Sequence, residues 1–183
     1  MQQYLPNSLT LSRLLLAAPL GVLILREDFT WALAIGFVAG ITDALDGFFA
    51  RKLGAFSRWG AALDPIADKV LITTSFICFA EVNLIPWYLA VAVVTRDLVI
   101  VLGAVSYYKF IGPFEFAATG LSKANMCIQI GFCVLVLLAQ VLPDIPQLAI
   151  TIGAAAVLFI AAASGFDYVM TWTVKAIQSR KGQ

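Results

Sequence analysis

An all-helical integral membrane bundle of six transmembrane helices is the fold class this sequence predicts, and three observations predict it. Of its 183 residues, 61% are hydrophobic and only 13% charged, whereas a soluble domain is about half apolar and a quarter charged. The mean hydropathy is +0.92. The apolar residues come in long continuous runs, close to the roughly 20 residues a helix needs to cross a bilayer. Such runs exclude a closed β-barrel, whose strands alternate. The length accommodates about six spans with short loops. No appendage is long enough to fold alone, so residues 1–183 read as a single membrane domain.

The first helix is predicted over 8–25, behind Pro6-Asn7-Ser8, with Asn7 or Ser8 as N-cap. Arg13 interrupts its apolar run and no Lys or Arg precedes it, so a cleavable signal peptide is not expected. Arg26-Glu27-Asp28 breaks the chain before a second helix over 30–52. Lys52-Leu53-Gly54 ends that helix, and the third follows over 58–80. The stretch from Asn83 to Pro86 precedes a fourth over 86–108. Gly112-Pro113 stands before the fifth, 119–142, and Pro143-Asp144 before the sixth, 145–174. No internal repeat or low-complexity tract is visible.

The charges exclude some functions and orient the chain. A net charge of +1 gives no case for nucleic-acid binding. Eleven of the twelve Lys and Arg fall on one side when the N-terminus is placed in the cytoplasm; only Arg26, beside Glu27 and Asp28, lies outside. Lys and Arg are enriched in cytoplasmic loops, so the expected location is a bacterial inner membrane with the acidic cluster described next facing the cytoplasm. The cysteines Cys78, Cys127 and Cys133 lie in apolar runs without CxxC spacing and read as small hydrophobes. There is no histidine, so acid–base work falls to a carboxylate, Lys, Tyr or a metal-bound group.

The chemistry concentrates in four aspartates. Asp43 and Asp46 are three apart near the end of the second helix, and Asp64 and Asp68 four apart near the start of the third. Each pair shares a helix face. A short connection makes the helices antiparallel neighbours, so the two acidic faces can meet. One Asp near the bilayer centre costs about 2.5–3.5 kcal/mol. Arg51 and Lys69 leave the cluster net negative, and hard divalent cations, Mg2+ or Mn2+, are the simplest solution. Two cations roughly 4 Å apart would suit displacement at phosphorus. Gly47 and Gly60 let a diphosphate or nucleotide approach the backbone, and Arg51 provides a fork for phosphate. A sodium site or a cation path through a small cation-coupled membrane transporter is the reading from another class. Transporters often carry inverted repeats, and none is found here.

The spacing Asp-x2-Asp-Gly-x2-Ala-Arg-x8-Gly-x3-Asp-x3-Asp, from Asp43 to Asp68, resembles the signature of the CDP-alcohol phosphatidyltransferases at all eight fixed positions. Pro6-Asn7-x2-Thr10-x2-Arg13 resembles that family's N-terminal segment. The resemblance implies a homodimer of six-helix chains that moves a phosphatidyl group from CDP-diacylglycerol to an alcohol and releases CMP. It implies that Asp43, Asp46, Asp64 and Asp68 bind two metal ions and that Asp68 is also the catalytic base. The donor nucleotide is then held by Asn7, Thr10, Arg13, Asp46, Gly47, Ala50, Arg51 and Gly60.

Two further clusters bear on the acceptor. The fourth helix carries Thr95-Arg96-Asp97, and the fifth Ser122-Lys123-Ala124-Asn125 with Gln129 beyond. This pattern resembles the CMP-forming cardiolipin synthases of the family, as do Leu84-Ile85-Pro86 and the run Gly40 to Asp43. Phosphatidylglycerophosphate synthases usually show Arg-Glu in the first place, a later Arg, and Lys-x-Lys-Thr in the second. Here Asp97 and Asn125 stand instead, and Ser106, Tyr107 and Tyr108 occupy the region of the later Arg. Phosphatidylglycerol is thus the expected acceptor, with Arg96, Lys123 and Asn125 binding it. Glycerol 3-phosphate, with about two negative charges and a need for more cations, is the alternative. Arg96 and Lys123 could also snorkel to the interface or neutralise the aspartates.

Overall fold

The computed structural model describes the backbone over 5–53, 58–110 and 120–181, and side chains over 15–42, 69–103, 120–168 and 170–171. Among the described residues six helices follow one another: α1 Leu5–Leu25, α2 Phe29–Leu53, α3 Arg58–Glu81, α4 Trp87–Phe110, α5 Gly120–Val141 and α6 Gln147–Lys181. No strand occurs among the described residues. Each helix lies within a few residues of its expected span except at two ends. Helix α1 begins at Leu5, so Asn7 and Ser8 lie inside its first turn and are not its N-cap. Pro6 is compatible with that start, because the N–H it lacks would have no intrahelical partner there. Helix α6 continues seven residues past the expected end at 174, through Lys175 to Lys181; helical hydrogen bonding does not stop where hydropathy does.

Two of the breaks are closed by the same backbone device. At the end of α1, Glu27 N–H donates to Ile24 O at 2.9 Å and Asp28 N–H to Leu23 O at 2.9 Å. At the end of α3, Asn83 N–H donates to Ala80 O at 3.2 Å and Leu84 N–H to Phe79 O at 2.9 Å. This is the Schellman pattern, which fills the last helical carbonyls by turning one residue left-handed. Glu27 and Asn83 are that residue, each with φ 59°. Asn accepts this conformation readily; Glu does not. The Asp28 carbonyl then accepts from Ala32 at 3.0 Å and opens α2. A three-residue corner therefore reverses the chain between α1 and α2.

The chain divides into two units, Met1–Trp87 with Cys133–Pro146 and Tyr88–Phe132 with Gln147–Gln183. In the first, α1 packs against both α2 and α3. Its buried face is Ala17, Leu20 and Ile24, and α3 contributes Ile72, Phe76 and Phe79. Both sets recur at helical spacing, three and four residues apart. Gly21 lets α1 and α3 approach closely. A Cβ there would stand 3.0 Å from the Thr74 methyl and 3.3 Å from Cys78 Sγ.

In the second unit, Leu89, Val93 and Ile100 of α4, Phe132 of α5, and Val157, Ile160 and Ala161 of α6 are buried. Large apolar side chains also point outward: Phe37 of α2 is 67% exposed and Phe159 of α6 76%. Hydroxyls on these helices turn back to the preceding turn, as Thr42 does to Val38 O at 2.7 Å and Thr151 to Gln147 O at 3.1 Å. That satisfies the hydroxyl without water. Two stretches, Gly120–Val141 and Gln147–Tyr168, are long and apolar enough to cross a membrane, and Leu15–Leu25 and Phe29–Thr42 are shorter apolar stretches among the described residues.

The close approach at Gly21 has a measurable consequence. The Thr74 methyl and Cys78 Sγ must both give way to an added side chain. Gly21→Val is expected to cost about 1–3 kcal/mol by overpacking, seen as a lowered thermal midpoint in detergent. Gly36→Ala, inside α2 and with nothing within 4 Å of the added carbon, is expected to hold or raise the midpoint, since Ala is the better helix former.

Candidate active site

The helix boundaries decide how the motif residues line up. Helix α2 runs unbroken through Asp43, Asp46, Gly47, Ala50 and Arg51 to Leu53. Asp43, Asp46, Gly47 and Ala50 stand at i, i+3, i+4 and i+7, which is one face of a helix. Helix α3 begins at Arg58, so Gly60, Asp64 and Asp68 are four apart within it. They form a second stripe, with Gly60 one turn before the first carboxylate. Asn7, Thr10 and Arg13 fall in the first turns of α1. The side chains of all these residues, and the connection 54–57, lie outside the described residues, as does the meeting of the two acidic faces. The donor set itself fits hard cations: four carboxylates and no thiolate or imidazole within the motif. Among the described side chains, no group of three or more His, Cys, Asp and Glu gathers elsewhere.

The second unit holds a polar cluster built around Arg96. Its guanidinium is buried, with the side chain 7% exposed. Nε–H donates to Ser164 Oγ of α6 at 3.1 Å, Nη1 to Asp97 Oδ1 at 2.7 Å, and Nη2 to Ser122 Oγ of α5 at 3.4 Å. Three of the five guanidinium N–H groups are thus engaged by α4, α5 and α6. Ser164 is fully buried and donates its own hydroxyl to Ala161 O at 3.2 Å. Gly165 lies against the Arg96 stem, where an added Cβ would sit 3.8 Å from Cγ. A charge out of water needs both a counter-charge and filled hydrogen bonds, and Asp97 and the two serines supply them.

Of the residues expected to bind the acceptor, Arg96 is therefore engaged within its own unit, Lys123 is exposed on the first turn of α5, and Asn125 is 1% exposed. Ser164 escaped the sequence reading. Its signal was a hydroxyl in the apolar run Ala161 to Gly165, where a polar residue is costly and hence informative. Gln129, noted only as a follower of the Ser-Lys-x-Asn run, is buried at 3% exposure.

Comparison with known proteins bears on the same residues. The family model for CDP-alcohol phosphatidyltransferase matches residues 3–173, which spans the eight-residue motif, the α1 segment and the Arg96 cluster. The chain belongs to the CDP-alcohol phosphatidyltransferase family. It is 36% identical to a rat protein named cardiolipin synthase (CMP-forming), over 98% of this chain and 64% of that protein. It is 35% identical to the human protein of that name, over 90% of this chain and 60% of the relative. A protein of Escherichia coli named CDP-diacylglycerol--glycerol-3-phosphate 3-phosphatidyltransferase is 37% identical, over 55% of this chain and 58% of its own. The chain thus spans somewhat under two thirds of the length of these curated relatives.

The Arg96 cluster predicts a coupled stability effect. Arg96→Met removes one partner of a buried pair and is expected to cost about 3–5 kcal/mol. Adding Asp97→Asn removes the charge that Arg96 faced, so the double variant should be more stable than the sum of the single losses implies. Thermal unfolding of the four proteins of this cycle measures the coupling, expected at about 0.5–3 kcal/mol.

Proposed function

We propose that this chain transfers the phosphatidyl group of CDP-diacylglycerol to phosphatidylglycerol, forming cardiolipin and releasing CMP. The observation that carries the reading is the motif from Asp43 to Asp68, complete in sequence, with each half spaced along one face of its own helix. Asp43, Asp46, Asp64 and Asp68 would hold two Mg2+ or Mn2+ ions. When bound, such ions supply positive charge at the phosphorus and steady the attacking and leaving oxygens. Asp68 takes the proton from the acceptor hydroxyl, which needs no strong base once its pKa is lowered. The hydroxyl oxygen bonds to the β-phosphorus, the bond from that phosphorus to the bridging oxygen breaks, and CMP departs with the electron pair. In this reading Arg51 would serve the diphosphate, Gly47, Ala50 and Gly60 would leave room for it, and Asn7, Thr10 and Arg13 would bind the nucleotide side of the donor.

Two observations favour phosphatidylglycerol over glycerol 3-phosphate. The relatives named cardiolipin synthase align over 98% and 90% of the chain, and the Escherichia coli glycerol-3-phosphate transferase over 55%. Arg96 also carries Asp97 at 2.7 Å, so the pair adds almost no net charge toward a dianion. Lys123, exposed and at the start of α5, is left as the main cation for one phosphodiester, with Arg96 and Asn125 completing acceptor binding. The chain is read as six membrane spans in a homodimer, in a bacterial inner membrane with the aspartates toward the cytoplasm. The lysine and arginine bias and the outward Phe37 and Phe159 support that placement.

The test is a product assay with the purified chain, CDP-diacylglycerol, Mg2+ or Mn2+, and phosphatidylglycerol or glycerol 3-phosphate. Cardiolipin and CMP are expected in equal amounts, with glycerol 3-phosphate a poor acceptor. Asp43→Asn and Asp64→Asn should each lower turnover by orders of magnitude. Asp68→Asn should lose kcat with donor affinity little changed. Faster formation of phosphatidylglycerophosphate would replace the acceptor and leave the donor reading intact, whereas no CMP release with either acceptor would refute the whole proposal.

A further inference from the structure

Along two helices the outward side chains change character in the same order. The corner before α2 is Arg26, Glu27 and Asp28, all exposed. Trp31, in the first turn of α2, is 64% exposed, and Phe37, Val38 and Ile41 further along are exposed too. The corner before α4 shows Asn83 and Pro86 to the outside. Trp87, the first residue of α4, is 50% exposed, and Tyr88 and Val91 after it are exposed as well. Each helix thus presents a charged or polar corner, then a large ring with a polar edge, then apolar surface. The spacing matches a bilayer. At about 1.5 Å per residue, Trp31 stands about 4.5 Å along α2 from Asp28, and Phe37 about 13.5 Å. The layer between hydrocarbon and water is roughly 5–7 Å thick on each side of a bilayer. Trp31 falls within a layer of that depth and Phe37 beyond it. Trp87 follows its corner directly.

We propose that Trp31 and Trp87 are interface anchors, seated in the lipid headgroup layer on the bilayer face opposite the aspartate motif. The inference rests on the six-span reading above, in which α2 and α4 both start from that face. The partner is the boundary of the glycerophospholipid leaflet itself. An indole has a large apolar ring and one N–H donor, so it is best placed where one side is apolar and the other wet. The charged corner on one side of Trp31 and the bare apolar surface on the other describe such a place. Anchoring the start of α2 sets the depth of the whole helix, Asp43 and Asp46 included.

The experiment measures the depth of each ring. Trp59 and Trp172 are the other tryptophans. Full-length chains that keep only Trp31 or only Trp87, with the remaining three changed to Phe, are reconstituted in phosphatidylcholine vesicles. The lipid carries bromine either near the headgroup or near the acyl methyl end. Emission from each ring should be quenched about twofold more strongly by the shallow bromine, as befits rings at headgroup level. Phe37→Trp and Phe159→Trp, each in a chain without other tryptophans, are the references and should show the reverse order. Stronger quenching of Trp31 or Trp87 by the deep bromine overturns the inference, as does equal quenching at both depths. Quenching by neither lipid also overturns it, and means that water, a second copy of the chain or a soluble protein covers the rings. If the multiply substituted chains do not fold, Trp31→Phe and Trp87→Phe alone give the answer by difference. Each should then remove more of the shallow quenching than of the deep. Should neither reference be quenched by either lipid, the span reading fails. Should the deep bromine quench the references while the shallow one spares Trp31 and Trp87, only the anchors fail.

Discussion

A charge inside an apolar helix bundle must be neutralised where it stands, and this constraint organises the chain. The sequence places two pairs of carboxylates on α2 and α3 and a further Arg–Asp pair on α4. The second case is described atom by atom. Arg96 meets Asp97 at 2.7 Å, and hydroxyls from α5 and α6 occupy two more of its N–H groups. Pairing with filled hydrogen bonds is what makes such burial tolerable. Of the four cations from Asp43 to Lys69, Lys52 and Arg58 stand at the helix ends beyond the acidic stripes, which leaves Arg51 and Lys69 against four aspartates. In the proposed reading, divalent cations would resolve that imbalance, and a pair of them beside a diphosphate would also be catalytic machinery. The feature that makes the segment costly in a membrane would then be the same one that lets it act on phosphorus.

Family membership and helix register limit the chemistry from two sides. The family model covers residues 3–173, so the N-terminal segment, the aspartate motif and the Arg96 cluster all fall inside the match. Helix register then puts Gly60 in line with Asp64 and Asp68 on α3, and Gly47 and Ala50 in line with Asp43 on α2. Residues without bulk follow the carboxylates on the α2 stripe and precede them on the α3 stripe. In the proposed reading, that leaves room for a ligand to bring phosphates to metals along the helix surface.

Much of the fold was legible because long apolar runs and their breaks are local signals. The corners at Glu27 and Asn83 fall where the charged and polar residues interrupt hydropathy, and the Schellman hydrogen bonds explain how the chain turns there. The start of α1 was misread because Asn7 and Ser8 are good N-caps in isolation, while Pro6 can already occupy a first turn. The end of α6 was placed short because Lys175, Arg180 and Lys181 stop the apolar pattern without stopping the helix. The aspartate motif was legible as chemistry, since identity and spacing alone carry it. The Arg96–Ser164 bond was not, because it joins residues 68 apart and a serine in a run of alanines reads as a helix-packing residue. Gln129 was equally opaque: only the structure shows its amide buried.

The central claim is that divalent cations neutralise the four aspartates. Binding of Mn2+ to the purified chain in detergent, read by electron paramagnetic resonance alongside thermal unfolding, tests it most directly. The account predicts two Mn2+ per chain in the presence of CDP-diacylglycerol, a thermal midpoint raised by Mn2+ and lowered by chelation, and loss of that shift in the Asp43→Asn/Asp64→Asn double variant. A chain that binds no Mn2+ and unfolds at the same temperature with and without chelator would contradict it.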